Sequence, residues 1–145
     1  MRVKAVSAAD FQAWIASQQR GPAQPFNDAN AQALPGTPTL ISKTYQCTNC
    51  HTFDDSSKST FGPNLTHLAS RDVFASGDYQ LNHDNLVKWV MDAPSLVPMQ
   101  SEKCLYPPPA TCVGMPSFTK NLPKGQKKMT RQDAEAIADY LLAHK

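Results

Sequence analysis

Apolar positions along the chain recur at helical spacing in four places. From Ser7 to Gln19, Phe11, Trp14 and Ile15 fall at i, i+3 and i+4. Ser7 is placed to cap that helix, Asp10 lies in its first turn, and Gly21 and Pro22 end it. A weaker pattern covers about Thr39 to Gln46. A third helix is expected from near Asn82, with Leu86, Trp89 and Val90 on one face, ending before Pro94. The fourth pattern is the clearest. Thr130 is the cap, Asp133 sits at the box position, and Ala134, Ile137, Ala138, Leu141 and Leu142 form one stripe. Residues 2–6 alternate like the end of a β-strand that has no partner in this chain.

The remainder is connection. Residues 20–38 hold Gly21, Pro22, Pro25, Pro35, Gly36 and Pro38 without a period and read as a linker. Residues 94–123 contain seven prolines, including Pro107-Pro108-Pro109, so neither a helix nor a central strand spans them. An irregular stretch of that length inside a domain points to function.

Composition narrows the class. A chain of 145 residues fits one domain with a tail, and 18% charged against 41% hydrophobic residues argues for a folded core. Twelve prolines against six glycines predict long, stiff connections. A net charge of +2 is too weak to suggest nucleic-acid binding. No apolar run approaches the roughly 18 residues a membrane span needs. The first residues lack a signal-peptide pattern, so the chain reads either as cytoplasmic or as a mature or truncated piece of an exported protein.

Chemistry concentrates in Cys47-Thr48-Asn49-Cys50-His51, a C-x-x-C-H sequence, the attachment pattern of a c-type haem. Two thiols one turn apart can add to the two vinyl groups of a porphyrin, and the next residue, His51, is then placed to ligate the iron through a neutral imidazole nitrogen. Two other readings use the same cysteines. A dithiol redox pair needs a βαβ context that the patterning does not offer. A zinc site would need Cys104 and Cys112 as its other half, and their C-x7-C spacing is wide for one. Candidates for a sixth iron ligand are Met91, Met99, Met115 and Met129. Met91 reads as helix packing and Met129 as surface. Met99 and Met115 lie in the proline-rich stretch, and Met115 is preferred because Gly114 and Pro116 fix the backbone around it. His67 is the histidine to consider as an alternative ligand; His83 and His144 read as surface groups.

The order C-T-N-C-H, then Gly62-Pro63-Asn64-Leu65, a helix with Trp89, then Gly114-Met115-Pro116-Ser117-Phe118 and a final amphipathic helix with Tyr140 resembles a class I cytochrome c over about residues 36–145. The resemblance implies an all-α cytochrome c fold: three to four helices around one covalently bound haem c, with long Pro-rich loops. It also implies that the Pro63 carbonyl meets the His51 ring, that Tyr140 lies where the first and last helices cross, and that Trp89 reaches the haem propionates. One departure is the helix before the first cysteine, where Tyr45 lies only two residues ahead of Cys47.

The N-terminus, Arg2-Val3-Lys4-Ala5-Val6-Ser7 followed by Phe11 and Trp14, resembles the end of the copper domain of cytochrome c oxidase subunit II, and Gly62 to Arg71 is similar to the cytochrome c domain fused to some of those subunits in caa-type oxidases. That resemblance divides the chain into 1–20, the end of an upstream cupredoxin domain, 21–36, a linker, and 37–145, the haem domain. It implies an electron carrier, not itself a catalyst of bond chemistry. Electrons would pass from a donor cytochrome or quinol-oxidising complex to the dinuclear copper centre of the same subunit, on the extracytoplasmic side of the membrane. The alternatives are a free periplasmic shuttle and a ligand-binding haem sensor.

Outside the cytoplasm, where haem is attached, a Cys104–Cys112 disulfide is expected; closing that loop would contribute about 2.5 kcal/mol. Lys103, Lys120, Lys124, Lys127, Lys128 and Arg131 form a run without an acidic residue around Met115. It reads either as a docking rim for an acidic partner or as a solvated loop.

Overall fold

The computed structural model describes residues 3–21, 36–53, 59, 61–99, 114–122 and 124–143. Four helices organise them: α1 (Ala8–Gln18), α2 (Thr37–Thr39, continued by a π-helical stretch Leu40–Thr44), α3 (His83–Leu96) and α4 (Arg131–Ala143). The longest helix–helix contact is α3 against α4, and α4 also meets α2. Buried side chains at this junction are Ile41 and Tyr45 from the α2 side, Leu86, Val87 and Val90 from α3, and Ala134, Ile137, Ala138 and Leu141 from α4. The α4 stripe is therefore the face expected from its spacing. Its cap is Thr130, whose Oγ1 accepts from the Asp133 amide at 3.1 Å.

α2 begins after Gly36, whose φ of 82° is the left-handed turn a glycine permits at least cost, and Pro38 sits in its first turn. It closes through an i→i+5 bond, Tyr45 N–H to Leu40 O at 2.9 Å. Gln46, at φ 53°, then redirects the chain into a 3-10 turn over Cys47–Asn49.

Two features, in α3 and in the segment 73–80, differ from expectation. Residues 3–7 form no strand; Arg2 lies outside the described residues. α1 is where the periodicity puts it, and Ser7 Oγ accepts from Asp10 N at 3.1 Å. Its stripe is open to solvent: Phe11 and Trp14 are 48% and 53% exposed. They stack on each other with centroids 5.9 Å apart. α3 does not stop before Pro94. Its regular part breaks at Asp92 (φ −157°, ψ 66°), and Pro94 falls in the first turn of the short continuation, where its missing N–H costs nothing. Finally, a two-stranded antiparallel hairpin, β1 (Val73–Phe74) with β2 (Tyr79–Gln80), was not legible in so short a run.

Candidate functional site

The C-x-x-C-H segment is bound to itself by local bonds. The amides of Cys50 and His51 both donate to Cys47 O, at 3.1 and 2.9 Å. His51 Nδ1 lies 2.9 Å from Pro63 O. A carbonyl only accepts, so Nδ1 carries the proton and Nε2 the lone pair. Burial lowers the imidazole pKa, and the Pro63 bond offsets only part of that, so the ring is neutral near pH 7. The ring lies close against Gly62. A Cβ there would sit 2.7 Å from His51 Cε1 and Nδ1, so this glycine is needed for space alone.

His51 and Cys47 open onto a cavity of about 430 Å³. Its walls are mostly apolar, among them Phe53, Leu68, Phe74, Leu86, Ile137 and Leu141, and Pro63, Trp89 and Met115 also line it. Close-packed interiors leave few voids larger than a water, so an apolar space of this size is built for a ligand. Neither Cys47 nor Cys50 forms a disulfide among the described residues. Burial pushes Cys47 up to about 12 and raises Cys50 as well. A redox dithiol needs the opposite shift, so the dithiol reading loses its chemistry. Among the described residues, no group of three or more His, Cys, Asp or Glu could hold a metal ion.

A model of the cytochrome c family matches residues 39–145. The chain belongs to the cytochrome c family. Membership implies a haem c cofactor and electron transfer through it, and it fits the helical fold described above. Neither a curated protein nor a solved structure matches the chain.

The cavity of this cytochrome c fits that group. It is lined mostly by apolar side chains, Cys47 and His51 open onto it, and Cys50, which does not line it, supplies the second thiol of the spacing that attachment requires. Of Met91, Met99, Met115 and Met129, Met115 lines the cavity. Met99 does not line it and packs against Gly114, its sulfur 2.8 Å from where a Cβ there would be. Met129 is not a surface residue: it is 2% exposed and its amide donates to Phe118 O at 2.9 Å. His67 does not line the cavity; its Nε2 donates to the Arg20 carbonyl at 2.9 Å, tying the end of α1 to the haem domain. His83 Nε2 faces Asp139 of α4 at 3.3 Å. Trp89 lies in an aromatic group with Phe74 and Tyr79, centroids 5.4 and 6.0 Å away.

Three groups escaped the sequence reading. Arg71 also lines the cavity, where its guanidinium is anchored by Nη2 donating to Asn64 O at 2.9 Å. A lone arginine ending the Gly62–Arg71 stretch was its only signal. Tyr45 and Asp133, read separately as a departure before Cys47 and as a helix-box residue, bond to each other and join α2 to α4, and Asp92 sits at the α3 break with no sequence motif to mark it. The basic run is also less open than expected. Lys120 pairs with Asp92 at 2.7 Å, Lys127 with Asp133 at 2.9 Å, and Arg131 with Glu135 at 2.8 Å. Lys124 and Lys128 remain exposed, with no ion pair among the described residues. Lys103, Cys104, Cys112 and His144 lie outside the described residues, as does most of the 21–36 linker.

Proposed function

We propose that this chain is a one-electron carrier whose single haem c is bound through thioethers to Cys47 and Cys50, with His51 and Met115 as axial ligands. The observation that carries this reading is the shared cavity. One apolar space is lined by the imidazole whose tautomer the Pro63 carbonyl selects and by a methionine thioether. A His/Met-ligated iron cycles between ferric and ferrous states at a raised potential and is closed to small ligands. The chain's own residues bind and orient. Pro63 fixes the imidazole ring, the apolar walls exclude water, and Arg71 and Trp89 are the polar wall groups suited to the propionate carboxylates. A pyridine haemochrome assay on protein matured with the haem-attachment machinery tests the attachment. Met115→Ala should remove the weak far-red band of thioether-bound ferric iron, and Met99→Ala should retain it. Rapid carbon monoxide binding to the reduced wild type would favour the sensor reading instead.

The partner side of the proposal is an oxidase subunit II, with the domain outside the cytoplasm and its electrons passing from a donor cytochrome or quinol-oxidising complex to the dinuclear copper centre. Its support is the resemblance of residues 1–20 together with the face of α1. Val3, Val6, Phe11 and Trp14 are all exposed and unfilled by the haem domain, as expected of a segment that belongs to a neighbouring domain. Electron transfer from the reduced protein to an isolated dinuclear-copper fragment of a subunit II, followed by stopped flow, is the test. A rate indistinguishable from that of an unrelated copper protein would leave the free-shuttle reading in its place.

A further inference from the structure

A thioether is a soft, weak ligand that a ferric iron exchanges readily for nitrogen donors, so Met115 needs the protein to hold it. The segment 114–122 that carries it has no helix or strand to do so. Its fixed points come from the break in α3. The Met91 carbonyl accepts the Phe118 amide at 3.0 Å, and the Phe118 carbonyl accepts the Met129 amide at 2.9 Å. One residue past Met91, the Asp92 carboxylate receives Lys120 Nζ at 2.7 Å while only 15% exposed. Burial works against that charge, but hydrogen bonds from Lys120, Ser117 and Ser95 outweigh it and hold the carboxyl below its usual range. Ser117 Oγ in turn accepts the amides of Thr119 and Lys120, at 3.2 and 3.0 Å, so the turn is fixed two residues after Met115. On the other side, Gly114 (φ 108°) lies against the Met99 side chain.

We propose that Asp92 is a positioning residue for the Met115 thioether: by clasping Ser117 and Lys120 across the α3 break, it holds the 114–120 segment to the cavity and protects the iron from competing ligands. The inference rests on the Met115 ligation proposed above. It assigns the α3 break a purpose. The break at Asp92 turns the Met91 carbonyl and the Asp92 carboxylate toward the ligand loop.

The probe is imidazole itself, titrated into the ferric holoprotein and read from the loss of the far-red band. Asp92→Asn and Lys120→Met each remove one charge of the clasp, and a charged hydrogen bond is worth about a tenfold change in an equilibrium. Each variant should therefore bind imidazole about tenfold more tightly than the wild type, and the double variant no more tightly than either single one. Lys120 is 63% exposed, so its substitution leaves the fold in place should the Asp92 variant mature poorly. Asp139→Asn, which loosens the distant His83 contact, controls for stability and should leave imidazole affinity unchanged. Wild-type affinity in both clasp variants, with the band still dependent on Met115, would overturn the role of Asp92 alone. A far-red band absent from the wild type, or surviving in Met115→Ala, would overturn the ligand reading and this inference with it.

Discussion

Tyr45 donates its phenolic proton to Asp133 Oδ2 across 2.6 Å, joining the residue two before Cys47 to the first turn of α4. Burial, then the bond to Asp133, raises the Tyr45 pKa well above its ordinary value, so the phenol stays a donor. Lys127 bonds the same oxygen at 2.9 Å, and its ammonium stands 5.8 Å from the Tyr45 ring centroid. The ring itself is fully buried, edge-on to Phe118. This contact joins the helix before the C-x-x-C-H turn to α4, in the place where the sequence departs from the usual arrangement.

Stability should depend on that carboxylate in acid. Burial alone would raise the Asp133 pKa, but the bonds from Tyr45, Lys127 and Thr130 prevail and bring it from 3.8 to about 2. A depressed folded-state value means that the stabilisation is complete above about pH 4 and is lost as pH falls through about 2. Allowing for solvent screening, it amounts to about 1–2 kcal/mol. Tyr45→Phe should cost about 1.5 kcal/mol near neutral pH, and the deficit should shrink near pH 2. Denaturant unfolding at both pH values checks this; a deficit of constant size would mean that the phenol acts through packing alone.

Gly62→Ala should disturb the His51 ring. The added methyl would meet ring atoms at 2.7 Å and the Cys50 carbonyl at 2.9 Å, while Gly62 N–H already donates to that carbonyl at 2.6 Å. Neither neighbour is the free end of a flexible chain, so the ring must tilt off the Pro63 carbonyl. An overpacking cost of about 1–3 kcal/mol in the holoprotein is expected, with a changed proximal-histidine signal by NMR. A variant with wild-type stability and an unmoved imidazole signal would show that the Gly62 backbone yields instead.

Legibility followed how local the signal was. The α4 stripe, the Ser7 and Thr130 caps and the C-x-x-C-H turn each depend on residues within a few positions, and all were readable. What failed depended on tertiary context. Periodicity marks an apolar face on α1 but does not say what covers it, and Phe11 and Trp14 stand exposed. Pro94 signals a break, but not that the chain resumes a helix beyond it. Asp92, Arg71 and Tyr45 become informative only through partners 28, 7 and 88 positions away.

Met129 was misplaced for the same reason: its sequence neighbours are polar, while its side chain is 2% exposed within the core. Met129→Ala should therefore destabilise the domain by about 3 kcal/mol, as expected for emptying a buried methionine site. A surface methionine would cost less than about 0.5 kcal/mol, so one denaturation curve separates the two positions. Because the Met129 amide bonds Phe118 through backbone only, the far-red band should survive the substitution below the unfolding transition.

The basic run separates into paired and open charges, and the two groups should behave differently. Lys127 supports Asp133, which is only 16% exposed, so Lys127→Gln should lower stability by about 1 kcal/mol. Lys124 and Lys128 are exposed and free of ion pairs among the described residues, so neutralising both should leave stability within about 0.5 kcal/mol. Their effect, if they face an acidic donor, is on encounter. The rate of reduction at low ionic strength should fall severalfold in Lys124→Gln/Lys128→Gln, and the difference should fade as salt shortens the Debye length to about 8 Å at physiological strength. Stopped-flow reduction by an acidic donor cytochrome across a salt series measures it. Equal rates for the variant and the wild type at every salt concentration would make these lysines a solvated surface and move the docking face elsewhere on the domain.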